Sequence, residues 1–133
     1  MRGFITAVGL GALMAAGCGA SGSASVAVAT DTAAARAKLS SLEAAARALA
    51  RTDGCSTSTQ CRTAPVGVNA CGGPRLYLVY CAVTTDTVAL FRKLDELKAV
   101  EMNFNQSTNV ISTCELRRPP GVVAEGGSCR AVP

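Results

Sequence analysis

A chain of 133 residues with no histidine, no tryptophan, two tyrosines and three phenylalanines has room for one small domain and few large side chains to fill it. Its 13 basic and 9 acidic residues leave a net charge of +4 with no basic run, which excludes the usual footprint of a nucleic-acid binder. Without an imidazole the commonest general base is missing, and the carboxylates are scattered between Asp31 and Glu125, so the composition points away from an enzyme.

After Arg2, the stretch from Phe4 to Ala16 carries no charge and no proline. It is shorter than the roughly 20 residues needed to span a bilayer and has the length of a signal-peptide apolar region. It ends in Leu13-Met14-Ala15-Ala16-Gly17-Cys18, where small residues let an extended chain enter a peptidase groove and a nucleophilic thiol follows at once. This stretch resembles a bacterial lipobox, although Ala15 stands where that pattern most often has leucine. The resemblance implies removal of residues 1–17, attachment of a diacylglycerol to Cys18, and a partner in the membrane itself. It places the protein in a bacterial cell envelope, and Gly19 rather than aspartate after the anchor implies the outer membrane, facing the periplasm. The alternative is plain secretion, with an ordinary signal cut near Ala20 or Ala24.

Residues 18–30 are expected to be the anchor and a flexible tether, because Gly, Ala, Ser, Val and Thr occur there without periodicity. A chain of that kind reaches about 20 Å, enough to lift a domain off a headgroup layer. The folded domain is expected over 31–133, with its core at 55–133. Asp31 can cap a helix over Ala33 to Arg51, where Leu39, Leu42, Ala46 and Leu49 form a narrow apolar stripe and Gly54 provides a stop. That helix serves either as a spacer for partners or as an element packed on its own domain.

Cys55 to Cys71 has the composition of a loop, rich in Ser and Thr and then interrupted by Pro65, Gly67 and Asn69. After the turn signal Cys71-Gly72-Gly73-Pro74, the run from Arg75 to Val83 predicts a buried strand at the centre of the sheet. Thr85 or Asp86 caps a second helix reaching about Asn103, with Leu90, Leu94 and Leu97 on its apolar face. A second strand is expected over Val110 to Leu116, and a hairpin from Val122 to Val132 turns at Glu125-Gly126-Gly127. The fold class is therefore α+β: a small disulfide-stapled domain of two helices and a sheet of three to four strands.

Besides Cys18 the chain holds six cysteines: Cys55, Cys61, Cys71, Cys81, Cys114 and Cys129. An even number in a short exported chain reads as a disulfide framework, each bridge contributing roughly 2–4 kcal/mol, with fifteen pairings open. If the strand, helix, strand unit is a right-handed crossover, Cys81 and Cys114 lie at matching strand ends and can bond. No Cys-x-x-Cys pair occurs, so a structural metal is not expected. Gly72-Gly73 is followed by a proline that suits a turn better than a phosphate cradle, and no cofactor is expected.

Cys55 to Cys129 is similar to a group of small cysteine-rich exported bacterial proteins. The likeness lies in Cys55 and Cys61, Pro65-Val66-Gly67 leading to Cys71-Gly72-Gly73-Pro74, a Tyr-rich strand, Ser112 with Cys114, and Gly127-Ser128-Cys129. That group implies a fold and no particular activity. Serine often stands there at the position of Cys81, and a further cysteine lies near Val122 to Glu125, which leaves the partner of Cys81 open.

These features favour a lipid-anchored, non-enzymatic envelope module that binds or supports another envelope protein. The alternative is a protease inhibitor presenting the Cys61–Cys71 loop, with Arg62, Pro65 and Val66 as the binding residues, against a plain structural role for the same loop.

Overall fold

The computed structural model describes residues 21–133, with side chains described from Asp31 onward. The expected signal segment 1–17 and Cys18 lie outside the described residues. The described chain forms helix α1 (Ser21–Leu49), strand β1 (Cys61–Val66), strand β2 (Leu76–Cys81), helix α2 (Thr87–Thr108), strand β3 (Gly121–Glu125) and strand β4 (Ser128–Val132). The α+β class holds, but the strands form two antiparallel ribbons, β1–β2 and β3–β4, and not one sheet.

The β1–β2 ribbon is the middle layer. Its register pairs Ala64 with Leu78 and Val66 with Leu76, and side chains of this parity point to the helices. There Ala64, Val66, Leu78 and Tyr80 meet Leu42 and Ala46 of α1 and Leu90, Leu94 and Leu97 of α2 in one buried cluster. The opposite parity, Cys61, Val79 and Cys81, packs against Cys55, Cys129, Val122 and Ala124 beside the β3–β4 ribbon. A strand covered on both faces needs an apolar run and not an alternation, and Leu76-Tyr77-Leu78-Val79-Tyr80-Cys81 is such a run, with Leu78 and Tyr80 buried under the helices, Cys81 buried on the other face and Tyr77 and Val79 half-buried there.

Three disulfides close the structure: Cys55–Cys81, Cys61–Cys129 and Cys71–Cys114. The crossover bond between Cys81 and Cys114 does not form. Cys81 ends β2 and is bonded to Cys55. A short extended segment then ties the ribbons together. Arg51 accepts the Cys81 N–H at 2.6 Å, Thr52 accepts the Cys129 N–H at 2.8 Å, and Asp53 bridges to Ser128.

Several expectations are corrected. Residues 21–30, anticipated as part of a tether, belong to α1, since neither glycine nor proline interrupts the chain between Ser23 and Thr30. The helix ends at Leu49, and Gly54 falls in the stitching segment, where its N–H donates to Gly127 at 2.8 Å. Cys61–Val66, expected as loop, is a strand. Pro65 is tolerated because the Ala82-to-Gln60 bond at 2.9 Å continues the ladder and puts the Pro65–Tyr77 pair at a position without ladder bonds.

Val110 to Leu116 is not a strand. Asn109 ends α2 in the left-handed region at φ 49°, Cys114 has φ 56°, and the bond to Cys71 holds this segment over the 71–74 turn. β2 is therefore central to the layers without being central to a sheet. α2 runs to Thr108, past the end expected near Asn103; its start agrees, with Asp86 capping it by accepting the Ala89 N–H at 2.9 Å, and Gly126-Gly127 form the β3–β4 turn with φ 60° and 78°.

The Cys61–Cys129 bond spans a sequence separation of 68 and fastens the last hairpin to the middle layer. The double variant Cys61→Ser/Cys129→Ser is expected to lose about 4 kcal/mol, the loop-closure value for that length. Urea unfolding measures it, and a loss under about 1 kcal/mol would show that the hairpin docks without the bond.

Candidate functional site

The connection between β1 and β2 runs from Gly67 to Arg75 and is held on α2 by polar groups. Gly67 has φ 66°, and a β-carbon there would lie 2.1 Å from Glu101 Oε2, so only glycine fits. Glu101 is buried at 7 % exposure, and its Oε2 accepts the Val68 N–H at 2.7 Å. Asn105 Nδ2 donates to the Val68 carbonyl at 3.0 Å. Both sides of the Val68 backbone are thus fixed by one helix, which pairs a partly buried carbonyl and amide.

Arg75 completes the clamp. Its Nε pairs with Glu101 Oε1, and its Nη2 donates to Glu43 Oε2 at 2.7 Å. Glu43 also accepts from Arg47 Nη2 at 2.6 Å. Two helices and the loop are therefore joined by one guanidinium between two carboxylates, a geometry arginine suits and lysine does not. The hydrogen bond from Arg75, opposed by burial and reinforced by Arg47, holds Glu43 below the usual carboxylate range. Burial disfavours the charge on Arg75, but the carboxylates of Glu43 and Glu101 outweigh it and raise its pKa.

Beside this clamp the loop and α2 enclose an open groove of about 470 Å³. Leu94 lies at its base, Phe91 and Met102 expose apolar surface at 39 % and 43 %, and Val68 with Gly72-Gly73-Pro74 forms the facing wall. Asp95 and Lys98 supply its only charged side chains, and neither belongs to an ion pair among the described residues. Phe91 is steadied by an edge-to-face contact with Tyr80, with centroids 6.2 Å apart. The volume lies within the range of small-molecule pockets, and the walls are mostly apolar.

The residues singled out for an inhibitor loop are dispersed. Arg62 is exposed on β1 with Nη1 donating to the Cys61 carbonyl at 2.8 Å, while Pro65 is exposed and lines the groove. Val66 is fully buried in the helix-facing core and is not available to a protease pocket. Cys61 and Cys71 are not bonded to each other, so no disulfide closes that loop. The groove residues that sequence reasoning gave no site role are Phe91, expected on the apolar face of α2, Asp95 and Lys98, expected on its wet side, and Met102, spaced four, three and four along one face. That spacing was the available signal, but the charges on Asp95 and Lys98 read as a wet face.

The Cys55, Cys61 and Cys129 sulfurs lie within 4.8 Å of one another, and each is engaged in a disulfide. Among the described residues, no helix is long and apolar enough to cross a membrane. Neither a protein-family model, nor a curated protein, nor a solved structure matches this chain.

A lowered folded-state pKa at Glu43 means its contribution to stability is complete above the unfolded value of about 4.3 and is lost as pH falls through the folded value. Glu43→Gln is therefore expected to be less stable than the native chain at about pH 7, with the difference narrowing as the pH is lowered below the unfolded carboxylate range. Urea midpoints along that pH series check this, and a difference that persists undiminished in acid would contradict it.

Proposed function

We propose that this protein is a lipid-anchored component of a bacterial cell envelope, held to the membrane through Cys18, whose disulfide-stapled domain binds another envelope protein without catalysing a reaction. The observation that carries the binding role is the groove of about 470 Å³ between the Gly67–Arg75 loop and α2, with apolar walls already braced by the Glu43–Arg75–Glu101 clamp. A preformed groove needs little ordering on association, so modest apolar contact can yield useful affinity. Three disulfides in a chain this small agree with life outside the reducing cytosol, where such bonds persist. The anchor rests on the lipobox-like stretch ending at Cys18.

The two parts of the proposal are tested separately. Cys18→Ser is expected to move the protein from the membrane to the soluble fraction and to abolish the acyl mass on the N-terminal peptide. Unchanged fractionation without acyl mass would overturn the anchor. For the groove, crosslinking in intact envelopes is compared between the native chain and Phe91→Ser/Met102→Ser. Loss of a crosslinked partner in the variant supports the groove, and an identical crosslinking pattern contradicts it.

A further inference from the structure

Burial divides the three disulfides into two kinds. Cys55, Cys61, Cys81 and Cys129 are 1 %, 1 %, 0 % and 4 % exposed, whereas Cys71 and Cys114 both lie in solvent. A disulfide opens by attack of a thiolate on one of its sulfurs, and that thiolate must reach the sulfur through water. Of the three bonds, Cys71–Cys114 alone allows the approach.

The surroundings of this bond suit a pair that opens. The Ser112 carbonyl oxygen lies 3.8 Å from Cys71 Sγ and 3.6 Å from Cys114 Sγ, so each thiol finds an acceptor once the pair is reduced. Cys114 is held at φ 56°, a backbone conformation that residues with a side chain rarely adopt, and opening the bond lets it relax.

Opening it also frees one segment and little else. The turn that carries Cys71 is closed by its own hydrogen bonds: Asn69 N–H donates to the Gly73 carbonyl at 2.9 Å, Gly72 N–H to the Asn69 carbonyl at 2.8 Å, and Asn69 Nδ2 to the Pro74 carbonyl at 3.3 Å. Residues 111–118 are held far more lightly. Apart from the sulfurs, their one hydrogen bond to another element among the described residues runs from the Tyr77 hydroxyl to the Arg117 carbonyl at 3.5 Å, and no ion pair reaches them. While the bond is closed, it keeps Leu116 over Gly73 and beside Leu76 and Tyr77.

We propose that Cys71–Cys114 is a thiol-exchange site, a redox-active bond opened by a dithiol reductant and closed again by an oxidised one, with residues 111–118 as the segment it ties and releases. This goes beyond the anchor and the groove and depends on neither. A thiolate of the reductant attacks one sulfur, the Cys71–Cys114 bond breaks with its electron pair leaving on the other sulfur, and that sulfur takes up a proton. The reductant's second thiol loses its proton and attacks the mixed disulfide, forming the reductant's own S–S bond and expelling the remaining cysteine, which is protonated in turn. Two electrons and two protons thus pass to the protein, and the reductant leaves as a disulfide.

The test treats the full chain, its three disulfides confirmed by mass, with dithiothreitol in the absence of denaturant, followed by alkylation at intervals and peptide mapping. Cys71 and Cys114 are expected to be alkylated first, about 10-fold or more faster than the other four cysteines, and to re-form their bond with oxidised dithiothreitol. Hydrogen exchange in this two-thiol form should rise in residues 111–118 and stay unchanged in β1 and β2. Cys71→Ser/Cys114→Ser should show the same exchange pattern. Simultaneous opening of all three bonds, or earlier opening of a buried one, would overturn the proposal. So would a Cys71–Cys114 bond that yields only in denaturant, or a two-thiol form that has lost protection throughout the domain.

Discussion

The β1–β2 ribbon is covered along one face by the helices and at its Cys61–Cys81 end on the other, and everything else is arranged to permit that. A two-stranded ribbon has marginal stability by itself. One face is covered by the apolar stripes of α1 and α2, which bring Leu42, Ala46, Leu90, Leu94 and Leu97 against Ala64, Val66, Leu78 and Tyr80. The other face is covered by sulfur. Cys55–Cys81 and Cys61–Cys129 lie side by side there, and the second bond brings the final hairpin with it. Cysteine thus acts as cross-link and as buried apolar filling together, which suits a chain with so few large side chains.

This layering also sets up the surface. Because α2 is fixed on the ribbon by Leu90, Leu94 and Leu97, its neighbouring face carries Phe91, Asp95, Lys98 and Met102 outward beside the β1–β2 connection. The Arg75 guanidinium, pulled between Glu43 and Glu101, keeps that connection pressed against the helix, and the groove is what remains between them. The third disulfide works on the outside. Cys71–Cys114 is exposed and secures a loop, so its consequence is to hold the segment after α2 over the 71–74 turn and not to fill a core.

Local signals were legible where one residue decides the geometry. Asp86 as a cap, the Gly126-Gly127 turn, the leucine stripe of α2 and the run of β2 all follow from composition and spacing. What could not be read was pairing. The sequence around Cys61 carries a proline, a glycine and few large apolar residues, and its strand exists because β2 offers a partner on one side and the helices receive Ala64 and Val66. Val110 to Leu116 shows the converse, since β-branched residues favour a strand but the bond from Cys114 to Cys71 imposes another path. The groove was hidden for a related reason. Charged residues at Asp95 and Lys98 look like a solvated face until the 67–75 loop is known to lie alongside.

The central claim is that two adjacent disulfides join the middle ribbon to the segment before it and to the hairpin after it. Disulfide mapping of the native protein, by digestion without reduction and mass spectrometry of the linked peptides, tests this most directly. The account predicts three linked pairs: Cys55 with Cys81, Cys61 with Cys129, and Cys71 with Cys114. A Cys81–Cys114 peptide, or free thiols at Cys61 and Cys129, would contradict it, because the final hairpin would then have no covalent hold on the middle layer.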